Sequence, residues 1–199
     1  MSKNYIFSLS LSIITFIVST LFFIRNKHYD RLYSLILICY SLISYNDYII
    51  YKSIIDNDIE LNHFATRNIY YLLWSQVLFI GVGIYFISKD YSIAILGMLL
   101  LYYGHKNARK TWGKSDIATT SNNTIIYGFD EKCIQILIYI LLFCLVRYTD
   151  YKKTLPIILI LFVTFYTNVL HDNTNISNWL YIPSLLSIPL YIATEYFYI

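Results

Sequence analysis

The segment Tyr40–Tyr51, YSLISYNDYIIY, sets Asn46 and Asp47 inside a run otherwise suited to lipid. At helical spacing Tyr40, Ser44, Asp47 and Tyr51 share one face, whereas Leu42, Ile43, Ile49 and Ile50 lie elsewhere. A carboxylate in a spanning helix is costly unless it faces other helices or a water-filled cavity, so this stripe calls for helices packed against it. The predicted fold is therefore all-α, an integral membrane helical bundle.

Composition agrees. Charged residues make up 14% of the 199, against about 25% in soluble domains. Apolar residues reach 57%. The length suits one bundle with no separate soluble domain. A net charge of +3, without clustering, excludes a nucleic-acid interface. AT-rich codons encode Tyr, Ile and Asn, so the 22 Tyr are not all to be taken as interfacial anchors. Cys39, Cys133 and Cys144 fall in predicted spans without a CxxC pair and read as small apolar side chains. His28, His63, His105 and His171 form no HxxxH or HExxH pair, and no metal or other cofactor is expected.

About seven spans follow in order: 5–24, 31–51, 69–88, 91–105, 133–147, 155–170 and 179–199. The first lacks a cleavage signal and reads as a retained helix. An acidic, polar connection is predicted from Asp56 to His63, and the longest loop covers 106–132. Its basic first half reads as a short amphipathic helix at the headgroups, held by Trp112. Gly81 and Gly83 mark close helix contact. Pro183 and Pro189 should bend or break the last span. The 15 Lys and Arg divide almost evenly between the two faces, so the positive-inside rule says little. The tight basic turns after spans one and five favour an amino terminus outside or in a lumen, as do two sequons, at Asn122 and Asn175, on the opposite face.

Alternating span directions bring several polar groups toward one depth. Asp47 approaches one face at the end of span two, and Gln76 lies about 10 Å in from that face. Thr164, Asn168 and His171 share a stripe ending there. Asn46, Asp47, Gln76, Asn168 and His171 form the candidate polar layer, while Glu195 belongs near the opposite face. Ser184, Ser187, Tyr191 and Thr194 read as a packing stripe. The last span has no Lys for a retinal Schiff base, and no GxSxG elbow occurs, so no catalytic residues are assigned.

These features predict a multi-pass membrane protein whose partner is the lipid bilayer, with a non-enzymatic role. Two alternatives stand beside it. One is a small-solute or proton-coupled transporter, or a receptor-like bundle, using the layer around Asp47. The other is a lipid-modifying enzyme with Asp47 and His171 as its acid–base pair.

Asn46-Asp47-Tyr48, Ser75-Gln76 followed by Gly81 and Gly83, and Ser177-Asn178-Trp179 carry a resemblance. Over its whole length the chain resembles the small seven-span, Ile/Asn/Tyr-rich membrane proteins of giant, mimivirus-type DNA viruses. That pattern has Trp, Pro and Cys where Tyr51, Val77 and Leu180 stand here. The resemblance implies a virion envelope or host membrane location and no particular activity.

Overall fold

A computed structural model describes residues 2–111, 117–121, 124–126, 140, 143–147, 149–150, 155, 158–159 and 184–197, the side chains at 2–4, 107–111, 121, 124, 126 and 196–197 excepted. Four helices run in sequence: α1 (Ser2–Arg25), α2 (Asp30–Asp56), α3 (Ile59–Ser88) and α4 (Ser92–Thr111). A short hairpin, β1 (Thr119–Ser121) and β2 (Thr124–Ile126), and a final helix, α5 (Ser187–Phe197), complete the described elements. Among the described residues, the regular elements are thus helices apart from the six strand residues of the hairpin.

Each of α2, α3 and α4 packs antiparallel to the helix before it. Ser12 and Ser19 of α1 face Ser41 and Ser34 of α2. Gly83 of α3 lies against Leu32, and Cys39 Sγ points to the Leu72 carbonyl at 3.6 Å. Helix α5 runs parallel to α1, with Phe22 and Tyr191 edge to face at 4.9 Å and Thr15 donating to the Ser184 carbonyl at 3.4 Å. Helical residues 184–185 are separated from α5 by a turn at Leu186, just before Pro189, whose ring nitrogen cannot continue a helical ladder.

Helix α2 lies between α1 and α3. Tyr40, Ser44, Asp47 and Tyr51 are all buried, but so are Ile43 and Ile50, because helices cover both sides. Helix α1 is more one-sided. Ser8, Ser12, Thr15 and Ser19 are buried, while Ile6, Phe7, Ile13, Phe16, Ile17 and Ile24 are exposed. These hydroxyls face inward together with Leu11, Val18 and Phe22, and most of the large apolar side chains of α1 face outward.

Among the described residues three helices, Tyr5–Arg25 within α1, α2 and α3, are long and apolar enough to cross a membrane, by length and composition. Helix α4 has 20 residues but ends in the polar run GHKNARKT. Spans 133–147 and 155–170 fall largely outside the described residues, and of span 179–199 residues 184–197 are described. Two boundaries change. The predicted polar connection 56–63 is mostly helix, because Asp58 caps α3 by accepting the Leu61 N–H at 2.9 Å. Asn57, at φ 55°, supplies the left-handed end of α2. The corner therefore needs only two residues. At the start of the predicted loop 106–132, α4 continues to Thr111, and the hairpin forms beyond it.

At the α3–α4 contact, a Cβ built on Gly81 would stand 2.4 Å from the Ala94 nitrogen, and one on Gly97 2.5 Å from Leu78 Cα. Either substitution must push the backbones apart. Gly81→Val is expected to lower stability by roughly 1–3 kcal/mol or more, read as thermal unfolding in detergent. Ser12→Ala with Ser19→Ala should cost only about 1–2 kcal/mol in total, since interhelical hydrogen bonds in membranes average about 0.6 kcal/mol.

Candidate functional site

Asp47 is fully buried and engaged by neighbouring groups. Asn46 is buried too, its side-chain amide donating back to the Leu42 carbonyl at 2.8 Å. Aromatic rings surround this level: Tyr48 lies 6.1 Å from Tyr5 and 6.0 Å from Tyr45. One turn earlier, Ser44 Oγ meets Ser184 Oγ at 3.3 Å.

Gln76 is buried at a different depth. The pairings of Leu32 with Gly83 and Cys39 with Leu72 set it level with residues 35–39 of α2, roughly 12–18 Å along the axis from Asp47. Within about one turn of that level sits Tyr40, also buried. The Tyr40 hydroxyl, Gln76 Nε2 and Asn46 Oδ1 are buried atoms with no hydrogen-bond partner among the described residues. Such atoms mark places where another polar group belongs. Asn168 and His171 lie outside the described residues. The structure thus keeps Asn46 and Asp47 at one level and sets Gln76 near the depth of Tyr40.

A second polar cluster closes the opposite end of α2. Arg25 grips Asp30 with two hydrogen bonds, Nε to Oδ2 at 2.8 Å and Nη2 to Oδ1 at 2.7 Å. Its Nη1 donates to Glu195 Oε1 at 2.7 Å, and Lys27 Nζ donates to Glu195 Oε2 at 2.8 Å. The Lys27 backbone N–H also donates to Asp30 Oδ2, at 2.8 Å. The guanidinium lies over Phe22 and Tyr191, 4.9 and 4.6 Å from the ring centroids. One cation thereby ties together the end of α1, the start of α2 and the end of α5. A span boundary drawn at Arg31 passes over Asp30. The signal was present all the same, as an acid five residues after Arg25 and three after Lys27.

A third polar contact anchors the hairpin. Asn62 pairs its amide with both backbone groups of Ala118, Nδ2 donating to the carbonyl at 3.0 Å and Oδ1 accepting the N–H at 2.9 Å. Thr66 donates to Asn62 Oδ1 at 3.1 Å and orients it. Between α3 and α4, an open, mainly apolar hollow of about 500 Å³ has the Tyr71 hydroxyl and His105 Nδ1 at its side, 3.2 Å apart. Among the described residues, no three His, Cys, Asp or Glu side chains are placed to hold a metal ion. Cys39 and Cys144 are buried free thiols.

No protein-family model, curated protein or solved structure matches the chain.

The two acids of the closing cluster differ in burial, and removing their partners should differ accordingly. Asp30 is inaccessible and the Arg25 side chain is 10% exposed, whereas Glu195 is 43% exposed. Arg25→Met strands a buried carboxylate and should cost roughly 3–5 kcal/mol. Glu195→Gln should cost under about 1 kcal/mol. A double-mutant cycle with Asp30→Asn, followed by thermal unfolding in detergent, separates the pair from the rest of the cluster.

Proposed function

We propose that the chain is a multi-pass integral membrane protein of about seven α-helical spans that serves as a scaffold component of an envelope or host membrane. One observation carries the reading: on α1 Ser8, Ser12, Thr15 and Ser19 are buried against neighbouring helices, while Ile6, Phe7, Ile13, Phe16, Ile17 and Ile24 are exposed. In water that arrangement would be inverted; against lipid it leaves each polar group a protein partner and each apolar one a hydrocarbon neighbour. The basic turns at Arg25–Lys27 and Lys89 lie on one face and Asn57-Asp58 on the other. We assign the amino terminus and the Asn57 corner to the outside or lumen. The viral setting belongs to the proposal through the sequence resemblance alone.

Alkaline carbonate extraction tests insertion, and the protein should stay with the membrane pellet. Single cysteines placed at Lys27, Asn57 and Lys89 in a chain otherwise free of cysteine test topology. Those at Lys27 and Lys89 should react with an impermeant maleimide from one side and that at Asn57 from the other. Release by carbonate, or labelling of all three from one side, overturns the reading.

A proton-coupled or small-solute transporter is the second reading, favoured by the enclosed Asp47 and by the buried Tyr40 hydroxyl and Gln76 amide. It requires Asp47→Asn to abolish pH-dependent uptake into proteoliposomes. The scaffold reading expects no uptake from the native chain, and a folded Asp47→Asn variant that assembles as before.

A further inference from the structure

At the basic end of the bundle, the turns after α1 and α3 come side by side because Gly83 lets α3 lie directly against the backbone at Leu32. Between them is a cavity of about 290 Å³ lined by Asn26, Lys27, His28, Arg31, Phe86 and Lys89. Three of these six are permanent cations and none is acidic.

The cations are not equivalent. Lys27 is committed to Glu195. Arg31 is held in place without an acid: its Nε donates to Asn26 Oδ1 at 2.8 Å, and its guanidinium lies 3.9 Å from the Phe23 centroid and 5.4 Å from that of Phe86. Lys89 stands exposed at a left-handed position, φ 62°, with its ammonium 5.5 Å from the Tyr85 ring. Neither Arg31 nor Lys89 makes an ion pair among the described residues. The neighbouring Asp90 accepts the Ser92 backbone N–H at 2.8 Å, a bond that holds its carboxyl below the usual range. Its charge is turned to the start of α4.

The apolar surround points the same way. Phe23, Ile24 and Phe86 are exposed beside the cavity, continuous with the outward apolar face of α1. A ligand filling this place needs an anionic oxygen cluster at one end and hydrocarbon at the other. The geometry points to a binding site for the phosphate headgroup of an anionic phospholipid, with Arg31 and Lys89 as its charge-bearing contacts and Phe23 and Phe86 against the acyl chains. Arg31 is pre-oriented by its rings and by Asn26, so little side-chain freedom is lost on binding. The site rests on the bilayer-spanning reading, and it would lie in the leaflet that meets the basic turns.

The test uses the full chain in a neutral detergent, titrated separately with short-chain phosphatidic acid, short-chain phosphatidylcholine and inorganic phosphate, with bound species counted by native mass spectrometry. Phosphatidic acid should bind at least ten-fold more tightly than either of the others. Lys89→Gln and Arg31→Gln should each weaken it about ten-fold, while Lys52→Gln at the far corner leaves it unchanged. Should Arg31→Gln fail to fold, Lys89→Gln on its exposed turn still decides the matter. Equal affinity for the two lipids, or equal loss with Lys52→Gln, overturns the site, and phosphate binding as tightly as phosphatidic acid overturns the lipid assignment. These failures leave carbonate resistance untouched, so the membrane reading stands or falls separately.

Discussion

Helices that meet in hydrocarbon gain little from covering apolar surface, since lipid tails serve as well as leucine. Association then depends on how closely two backbones approach and on which polar groups they enclose. The α1–α2 contact meets both conditions with serine. Ser12 and Ser41 donate to each other's carbonyls, at 2.9 and 3.0 Å, and Ser19 donates to the Ser34 carbonyl at 2.9 Å. The pairs recur at seven-residue spacing on both helices, which keeps the seam in register over two turns. Between α3 and α4, glycine serves the same end by removing the side chain from the line of contact.

The same constraint explains where charge is tolerated. Asp30 is enclosed yet receives two guanidinium hydrogen bonds and a backbone N–H, so its lone pairs are met inside the protein. Arg25 reaches that position by lying on Phe22 and Tyr191, rings that cover its carbon stem and leave the fork free for two carboxylates. The cluster joins residues some 170 positions apart in the chain and fixes α5 parallel to α1. Asn62 performs a similar service at the far corner. Its amide replaces a missing strand edge for Ala118, and a hairpin of six residues, marginal in isolation, gains a support.

The two ends of the bundle therefore differ in character. One carries aromatic rings, Asn46 and the enclosed Asp47 near the Asn57-Asp58 corner. The other carries paired charges inside and unpaired cations at the rim. In a bilayer, such asymmetry gives each leaflet a different surface to recognise, and the cavity at Arg31 and Lys89 is where that difference is sharpest.

The sequence alone determined that the chain is helical, with runs long and apolar enough to cross a membrane. Long apolar runs, few charges and a polar stripe through YSLISYNDYIIY are local properties, legible without any tertiary contact. Helix boundaries were less legible, because Asp56–His63 has loop-like composition, whereas one capping hydrogen bond from Asp58 decides where α3 begins. Depth was less legible still. Whether Gln76 lies at the depth of Asp47 or of Tyr40 depends on the slide of α3 against α2, which Gly83 and Leu32 set through contact. Ser12, Ser19, Ser34 and Ser41 were visible as residues but not as partners. Tertiary structure alone decided which polar groups meet, because a hydrogen bond between helices depends on the axial offset and rotation of both, and neither quantity is written in either segment by itself.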